Sequence, residues 1–128
     1  MDSASEEHLK GVHPDLVKVM RKARERVAFR VYEGLRTIEE QRVFFQRGAT
    51  KIDPDNPKHP VGRHLTGHAV DIIPLVAGKG RFDWQLYRAV APVIKQVAKE
   101  LDIAIVWGGD WKKFPDGPHF ELDRNVYP

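Results

Sequence analysis

The sequence predicts a small α+β domain. Two segments, about residues 14–26 and 83–101, repeat apolar side chains with the period of an amphipathic helix. Short segments elsewhere alternate apolar and polar side chains, which is typical of half-buried strands. The chain has 128 residues, a length that allows one domain with a modest core. We therefore expect a single domain, residues 1–128, in which helices pack against a few short strands.

Composition narrows the classes of protein to which the chain can belong. Hydrophobic residues make up 41% and charged residues 30% of it, as in ordinary globular proteins. The absence of cysteine excludes disulfide scaffolds, iron–sulfur clusters, thiolate zinc sites and thiol nucleophiles. No apolar run is long enough to span a membrane, and the first residues lack the apolar core of a signal peptide. The net charge of +3 suits an anionic partner such as a cell wall, an outer membrane or nucleic acid.

The first predicted elements are a helix and a strand. The helix over residues 14–26 places its apolar side chains on one face: Leu16, Val19, Met20, Ala23 and Val27. Its opposite, basic face is either a solvated surface or a patch for an anionic polymer. Residues 27–32 then alternate apolar and polar side chains as a strand does.

A short second helix is predicted after this strand. Thr37 and Glu40 have the spacing of a capping box, in which each side chain satisfies a free backbone amide at the start of a helix. The pattern places Phe44 and Phe45 on the buried side of this helix, and Gly48 ends it.

The second half of the chain is predicted to combine strands with one long helix. The predicted order is polar loop, strand, loop, helix, strand and strand, at residues 49–62, 68–73, 74–81, 83–101, 103–107 and 119–122. A polar loop as long as the first is usually functional or mobile. Asp83 is a good N-cap for the helix, and Pro92 is predicted to kink or restart it.

Three side chains from different segments are candidate metal ligands. The apolar neighbours of Asp71 are expected to face the core, so Asp71 points to the opposite face of its strand. By the same alternation, His119 and Glu121 share one face of the last strand. If the two strands are neighbours, Asp71 and His119 converge, and His64 joins them from the preceding turn. Two imidazoles and a carboxylate, with one position left open, are typical of a catalytic zinc site.

The same region offers a general base. Asp116 precedes His119 by three residues across a turn that contains Pro118, which could hold the carboxylate beside the metal. The alternative interpretation is that each histidine is structural, as half-buried histidines commonly are. The other zinc motif, H-E-x-x-H, is absent because Leu65 occupies the glutamate position and Gly67 disfavours a helix.

These residues resemble a known family. The pattern His64-x-x-Gly67-x-Ala69-x-Asp71, followed by Asp116-x-x-His119, is similar to that of the zinc D-Ala-D-Ala carboxypeptidase-like peptidases, and more closely to that of bacteriophage L-alanyl-D-glutamate peptidase endolysins. Further blocks extend the resemblance from about residue 11 to residue 122. These blocks are residues 13–16, 33–37, 40–41, 83–87 and 107–111.

The resemblance implies a fold and a set of site residues. The fold is a small antiparallel sheet flanked by helices, of the D,D-peptidase and hedgehog type. His64, Asp71 and His119 would bind one zinc ion, and Asp116 would be the catalytic base. His68 stands at a variable position and is not expected to be a ligand.

Two arginines complete the expected site. Arg36 matches the family arginine that polarises the substrate carbonyl and stabilises the oxyanion; alternatively, it forms a surface ion pair with Glu33 or Glu40. Arg63 is a further candidate for substrate binding. The family usually has serine where this chain has Gly62, so the hydroxyl contact of that serine to substrate is expected to be missing.

The leading hypothesis is therefore a phage-type endolysin that hydrolyses the L-alanyl–D-glutamate bond of peptidoglycan stem peptides. Such a protein is expected to be a monomer without a separate wall-binding domain, to bind neither nucleic acid nor membrane stably, and to remain in the host cytoplasm until lysis. The first alternative is a D-Ala-D-Ala carboxypeptidase or dipeptidase, which would share every catalytic residue. The second is a non-catalytic metal-binding module, against which Asp116 argues, since such a module needs no base.

Overall fold

The computed structural model describes residues 1–57 and 62–128, so the predicted loop over residues 49–62 lies partly outside the described residues. The helices are α1 (Ser3–His8), α2 (Pro14–Arg24), α3 (Ile38–Gln46) and α4 (Trp84–Glu100). The strands are β1 (Phe29–Glu33), β2 (Ala69–Val76), β3 (Lys79–Gly80), β4 (Ile105–Trp107) and β5 (His119–Leu122). Gly108–Asp110 forms a turn of 3₁₀-helix. Among the described residues, no helix has both the length and the apolar character needed to cross a bilayer.

The strands form one antiparallel sheet, which confirms the predicted α+β class. Its order is β1-β2-β5-β4, and the two-residue β3 pairs with β2 at the end of the sheet. Strand β2 is therefore central and pairs with both β1 and β5. This placement matters because β2 and β5 carry the candidate ligands.

The core lies between one face of the sheet and helices α2 and α4. The sheet contributes Phe29, Val70, Ile72, Phe120 and Leu122, all fully buried, as alternation along β2 and β5 predicts. Helix α2 buries Leu16, Val19, Met20 and Ala23, and α4 buries Tyr87, Val90, Ala91, Ile94, Val97 and Ala98. The helices cover this face, so the opposite face of β2 and β5 is available for a site.

The sequence does not predict two short elements at the edge of the sheet. Helix α1 has only six residues and no apolar stripe, but its buried Ser5 accepts a hydrogen bond from the Val31 amide of edge strand β1. Strand β2 continues past residue 73 and turns back into β3 through Ala77 and Gly78, both at positive φ. Alanine is unusual at the first position of such a hairpin, where asparagine or aspartate is the expected signal.

Two expectations for the helices need correction. Helix α4 continues through Pro92, whose ring lies on the exposed side, so the helix does not restart there; Asp83 caps it as predicted. In α3 the predicted capping box of Thr37 and Glu40 is present, but the helix does not bury Phe45, which is 36% exposed. The buried residue of α3 is instead Gln41.

Candidate active site

Strand pairing brings Asp71 and His119 together. They stand directly opposite each other in the β2–β5 pair, on the face away from the core. His64 lies in the turn before β2. One donor atom from each of these three residues lies within 4.8 Å of the other two. The predicted convergence of the three side chains is therefore confirmed.

The two distances from the Asp71 carboxylate to the imidazoles match the spacing of zinc ligands. His64 Nε2 lies 3.4 Å, and His119 Nδ1 lies 3.3 Å, from Asp71 Oδ1. That oxygen is buried and has no hydrogen-bond partner among the described residues. Donors bound tetrahedrally to one zinc at about 2.0–2.1 Å lie about 3.3–3.4 Å apart. The donor set and the orphaned oxygen thus fit one zinc ion held by three protein ligands.

The far nitrogen of each imidazole is also engaged. His64 Nδ1 donates to the Gly34 carbonyl oxygen at 2.9 Å, and His119 Nε2 donates to the Glu121 carboxylate at 2.8 Å. These bonds leave His64 Nε2 and His119 Nδ1 directed at Asp71. Hydrogen bonds of this kind fix the tautomer and the orientation of metal-binding histidines.

Charges at the cluster are strongly coupled. Burial alone would raise the pKa of Asp71, but the adjacent imidazoles of His119 and His64 outweigh it and hold the pKa well below the ordinary aspartate range. Burial would likewise lower the pKa of His119, but Asp71 and Glu121 together raise it to about 9. The cluster therefore keeps an ionised carboxylate between two imidazoles.

Asp116 lies beside the cluster on a tightly seated turn. The Asp116 amide donates to the Gly108 carbonyl oxygen at 2.9 Å, and the Trp107 indole N–H donates to the Gly117 carbonyl oxygen at 2.7 Å. A Cβ on Gly108 would stand 2.5 Å from the Asp116 carbonyl oxygen and 3.0 Å from His119 Cβ, so only glycine allows this approach. Burial raises the pKa of Asp116, and the nearby Asp71 carboxylate raises it further.

Arg36 faces the same space from the segment between β1 and α3. The Arg36 amide donates to the His64 carbonyl oxygen, which fixes this segment against the ligand turn. Its guanidinium lies 4.5 Å from the centre of the Phe44 ring, donates to Gln41 Oε1 at 2.7 Å and stands 3.8 Å from Glu33. The ion pair expected as an alternative is therefore present with Glu33. Arg36 also lines the cleft, so the ion pair with Glu33 does not remove the guanidinium from it.

The other predicted residues have different surroundings. The guanidinium of Arg63 is buried, donates to the carbonyl oxygens of Leu122 and Tyr127, and lies 3.7 Å from Glu121. These contacts tie Arg63 to the chain itself, so its substrate contact stays a prediction. Gly62 lines the cleft, and an added Cβ there would meet only Ile52 at ordinary contact distance. The His68 ring forms a hydrogen bond with the Thr66 hydroxyl and lies outside the ligand cluster.

A cleft of about 750 Å³ opens over these groups. Its floor contains His64, Asp71, Asp116 and His119, and its walls come from the segments 48–52 and 111–115. Lys51 Nζ lies 5.3 Å from the centre of the Phe114 ring, so the two walls meet at this point. Trp111 packs against the His119 ring at a centroid distance of 5.0 Å. The three candidate ligands and Asp116 therefore share one cleft.

Sequence reasoning missed two residues that support the site. Glu121 shares the outer face of β5 with His119, and that spacing could have marked it as the partner of the histidine. Gln41 lies in the 40–41 block of the family resemblance, but the local pattern does not indicate its role, because a glutamine in a polar helix ordinarily faces solvent.

Comparisons with known proteins show the family of the chain. The profile of the family described as phage L-alanyl-D-glutamate peptidase matches residues 1–127. The L-alanyl-D-glutamate peptidase of Escherichia phage T5 is 34% identical over 129 residues, covering 96% of this chain and 88% of the phage protein. The solved structure of the L-Ala D-Glu endopeptidase ChiX of Serratia marcescens superposes with a TM-score of 0.88 at 42% identity, covering 100% of this chain and 92% of ChiX.

A more distant likeness concerns the fold alone. The vancomycin-resistance D,D-dipeptidase VanXYg, solved with a D-Ala-D-Ala phosphinate analogue, superposes with a TM-score of 0.52 at 17% identity. It covers 84% of this chain and 47% of that protein. The α+β arrangement is thus shared with a peptidase of different bond specificity.

Proposed function

The chain belongs to the phage L-alanyl-D-glutamate peptidase family, and we propose that it hydrolyses the L-alanyl–D-glutamate bond of peptidoglycan stem peptides with one zinc ion. The observation that carries this proposal is the convergence of His64, Asp71 and His119 beside the half-buried carboxyl of Asp116, inside one cleft. Three nitrogen and oxygen ligands with a neighbouring acid or base are the parts that zinc-dependent amide hydrolysis needs.

The metal is assigned to the three converging side chains. Zinc held there through His64 Nε2, an Asp71 oxygen and His119 Nδ1 would supply a Lewis acid for the substrate carbonyl and for the attacking water. The chain's own contribution is orientation. Gly34 and Glu121 fix the two imidazoles, and the pairing of β2 with β5 fixes Asp71 opposite His119.

Asp116 is assigned the proton transfers. Its carboxylate accepts a proton from the water that attacks the L-alanyl carbonyl carbon. It then gives this proton to the D-glutamate nitrogen as the amide bond breaks. The raised pKa of Asp116 suits this double task, because a carboxyl that is too acidic would hold the proton too weakly to deliver it.

Arg36 is assigned the developing negative charge. A guanidinium stays charged at every working pH and presents several donors in one plane. Donors already in place toward the carbonyl oxygen become most effective when that oxygen gains charge in the transition state. Its position in the lining of the cleft supports this role.

The biological setting follows from the same activity. Hydrolysis of stem peptides would weaken the cell wall and lyse the cell, as expected of an endolysin that reaches the wall after the membrane is opened. The substrate partner is the peptidoglycan stem peptide, whose free carboxylates are complementary to the positive net charge of the chain.

Three single variants test the metal assignment. His64→Ala, Asp71→Ala and His119→Ala should each lower the bound zinc from about one equivalent and abolish lysis of permeabilised Gram-negative cells. His68→Gln is the matched control, because His68 lies outside the cluster, and it should retain zinc and most of the activity. Full activity in any of the three alanine variants would contradict the ligand set.

A further inference from the structure

Helix α3 buries one side chain, and that side chain is polar. The structure describes every residue of α3, and among them Gln41 is the buried one, with 1% of its surface exposed. A primary amide is costly to remove from water unless its donors and acceptor find partners. Hydrogen-bond partners around Gln41 must therefore offset the cost of burying its amide.

The partners of Gln41 come from two sides of the cleft. Its Oε1 accepts from Arg36 Nη1 at 2.7 Å, while its Nε2 donates to the Ile52 carbonyl oxygen at 2.8 Å and to Thr50 Oγ1 at 3.3 Å. Both amide hydrogens and the amide oxygen are thus used. Gln41 therefore connects the guanidinium of Arg36 to the wall segment that contains residues 50–52.

Arg36 has little else to orient it. Within the described ranges, the guanidinium of Arg36 donates one hydrogen bond, to Gln41. The Glu33 carboxylate is too distant for a hydrogen bond at 3.8 Å, and Arg36 Nε has no partner. The Phe44 ring supports the guanidinium plane but does not fix rotation within that plane. The direction of the remaining donors thus depends on Gln41.

We propose that Gln41 is a positioning residue for Arg36, a role that rests on the proposed function of Arg36 at the scissile carbonyl. An amide suits this task better than a carboxylate. A bidentate carboxylate would neutralise the guanidinium and occupy the donors that the substrate needs. The neutral oxygen of Gln41 holds one nitrogen without adding a second carboxylate to the ion pair with Glu33, which lies at 3.8 Å.

The same connection makes Arg36 sensitive to the cleft wall. Thr50 Oγ1, which accepts from Gln41, also accepts from the Ile52 amide at 3.2 Å. The Gln41 amide and the 50–52 segment are therefore locked in one hydrogen-bonded arrangement. A substrate that packs against this wall would stabilise the arrangement in which Arg36 is correctly placed.

A double-mutant cycle tests the proposal. Gln41→Leu should lower kcat/KM on a soluble muramyl peptide by about 100-fold, mainly through kcat, as expected when a catalytic group is displaced by about 1 Å. Zinc content should not change, because Gln41 contacts none of the three ligands. In an Arg36→Ala background the same substitution should change kcat/KM by less than about threefold, because the group that it positions is already gone.

The controls separate positioning from stability. Gln46→Leu alters the same helix at an exposed position and should leave kcat/KM unchanged. If Gln41→Leu does not fold, Gln41→Met completes the same cycle, since the flexible thioether fills an irregular space. An equal loss in both backgrounds would overturn the proposal, because Gln41 would then act independently of Arg36, through stability or through direct contact with substrate in the cleft that it lines. Wild-type kcat in the single variant would also overturn it. A wild-type protein that releases no D-glutamate amino termini would contradict the proposed function instead.

Discussion

The carboxyl of Asp116 is the residue on which the proposed proton transfers depend. Asp116→Asn keeps the shape of the side chain but cannot accept a proton. We expect kcat to fall by about 10²–10⁴-fold, the usual contribution of general acid–base catalysis. Zinc content, measured by atomic absorption, should remain near wild type because Asp116 lies outside the ligand cluster. Loss of zinc in Asp116→Asn would make Asp116 a ligand and place the base elsewhere.

His119 predicts a pH dependence of metal binding. In the metal-free protein its pKa is raised to about 9, so at neutral pH the ring carries a proton that metal binding at Nδ1 must displace. Zinc affinity should therefore rise with pH, by about tenfold per unit at pH values well below 9 and less steeply as pH approaches 9, with about one proton released per ion near neutral pH. Calorimetry in buffers of different ionisation enthalpy measures this number.

The same group links pH to the stability of the metal-free fold. A pKa raised in the folded state stabilises that state fully below the ordinary histidine value of about 6.5, and the contribution is lost as pH rises through about 9.

In the zinc calorimetry, a proton release near zero at neutral pH would contradict the charged His119–Asp71 pair.

At the scale of elements, the 3₁₀ turn after β4 and the turn before β5 must touch for Asp116 and His119 to be placed. Gly108→Ala would insert a Cβ within 2.5 Å of the Asp116 carbonyl oxygen, so the turn must move. We expect loss of activity by about 100-fold or more, since displacements of about 1 Å have this effect. Gly62→Ala is the matched control, because its added Cβ meets only ordinary contacts, and it should fold and bind zinc normally.

Gly62 also bears on the departure from the family pattern. The available space implies that Gly62→Ser folds as well.

Steady-state kinetics of Gly108→Ala and Gly62→Ala measure the effect of an added Cβ at each of the two positions. Normal activity in Gly108→Ala would show that the two turns are not coupled.

Elements with regular periodicity could be predicted, and this explains which parts of the site were found. Alternation along β2 and β5 correctly placed Asp71 and His119 on one face, since a period of two is imposed by the strand backbone. Helix α1 and strand β3 were missed because they are short and are held by tertiary contacts, such as that of Ser5 with β1, rather than by local pattern. The role of Gln41 depends on Arg36 and on residues 50–52, which a local pattern does not bring together.

At the scale of the whole molecule, helices α2 and α4 occupy one face of the sheet and the candidate site occupies the other. Helices α2 and α4 bury the apolar residues of β2 and β5, so the opposite residues of the same strands are free to bind a metal. The cleft above them is bounded by two loop segments rather than by the core. Substrate specificity can thus vary with the loops while the ligand geometry is kept by the sheet.

Bond specificity is the central claim, and mass spectrometry of muropeptides released from purified sacculi tests it most directly. The proposed function predicts free stem peptides that begin with D-glutamate, sugar strands that keep L-alanine, and no release when a chelator removes the metal. Release of free D-alanine with the stems otherwise intact would contradict it and would identify a D,D-carboxypeptidase instead.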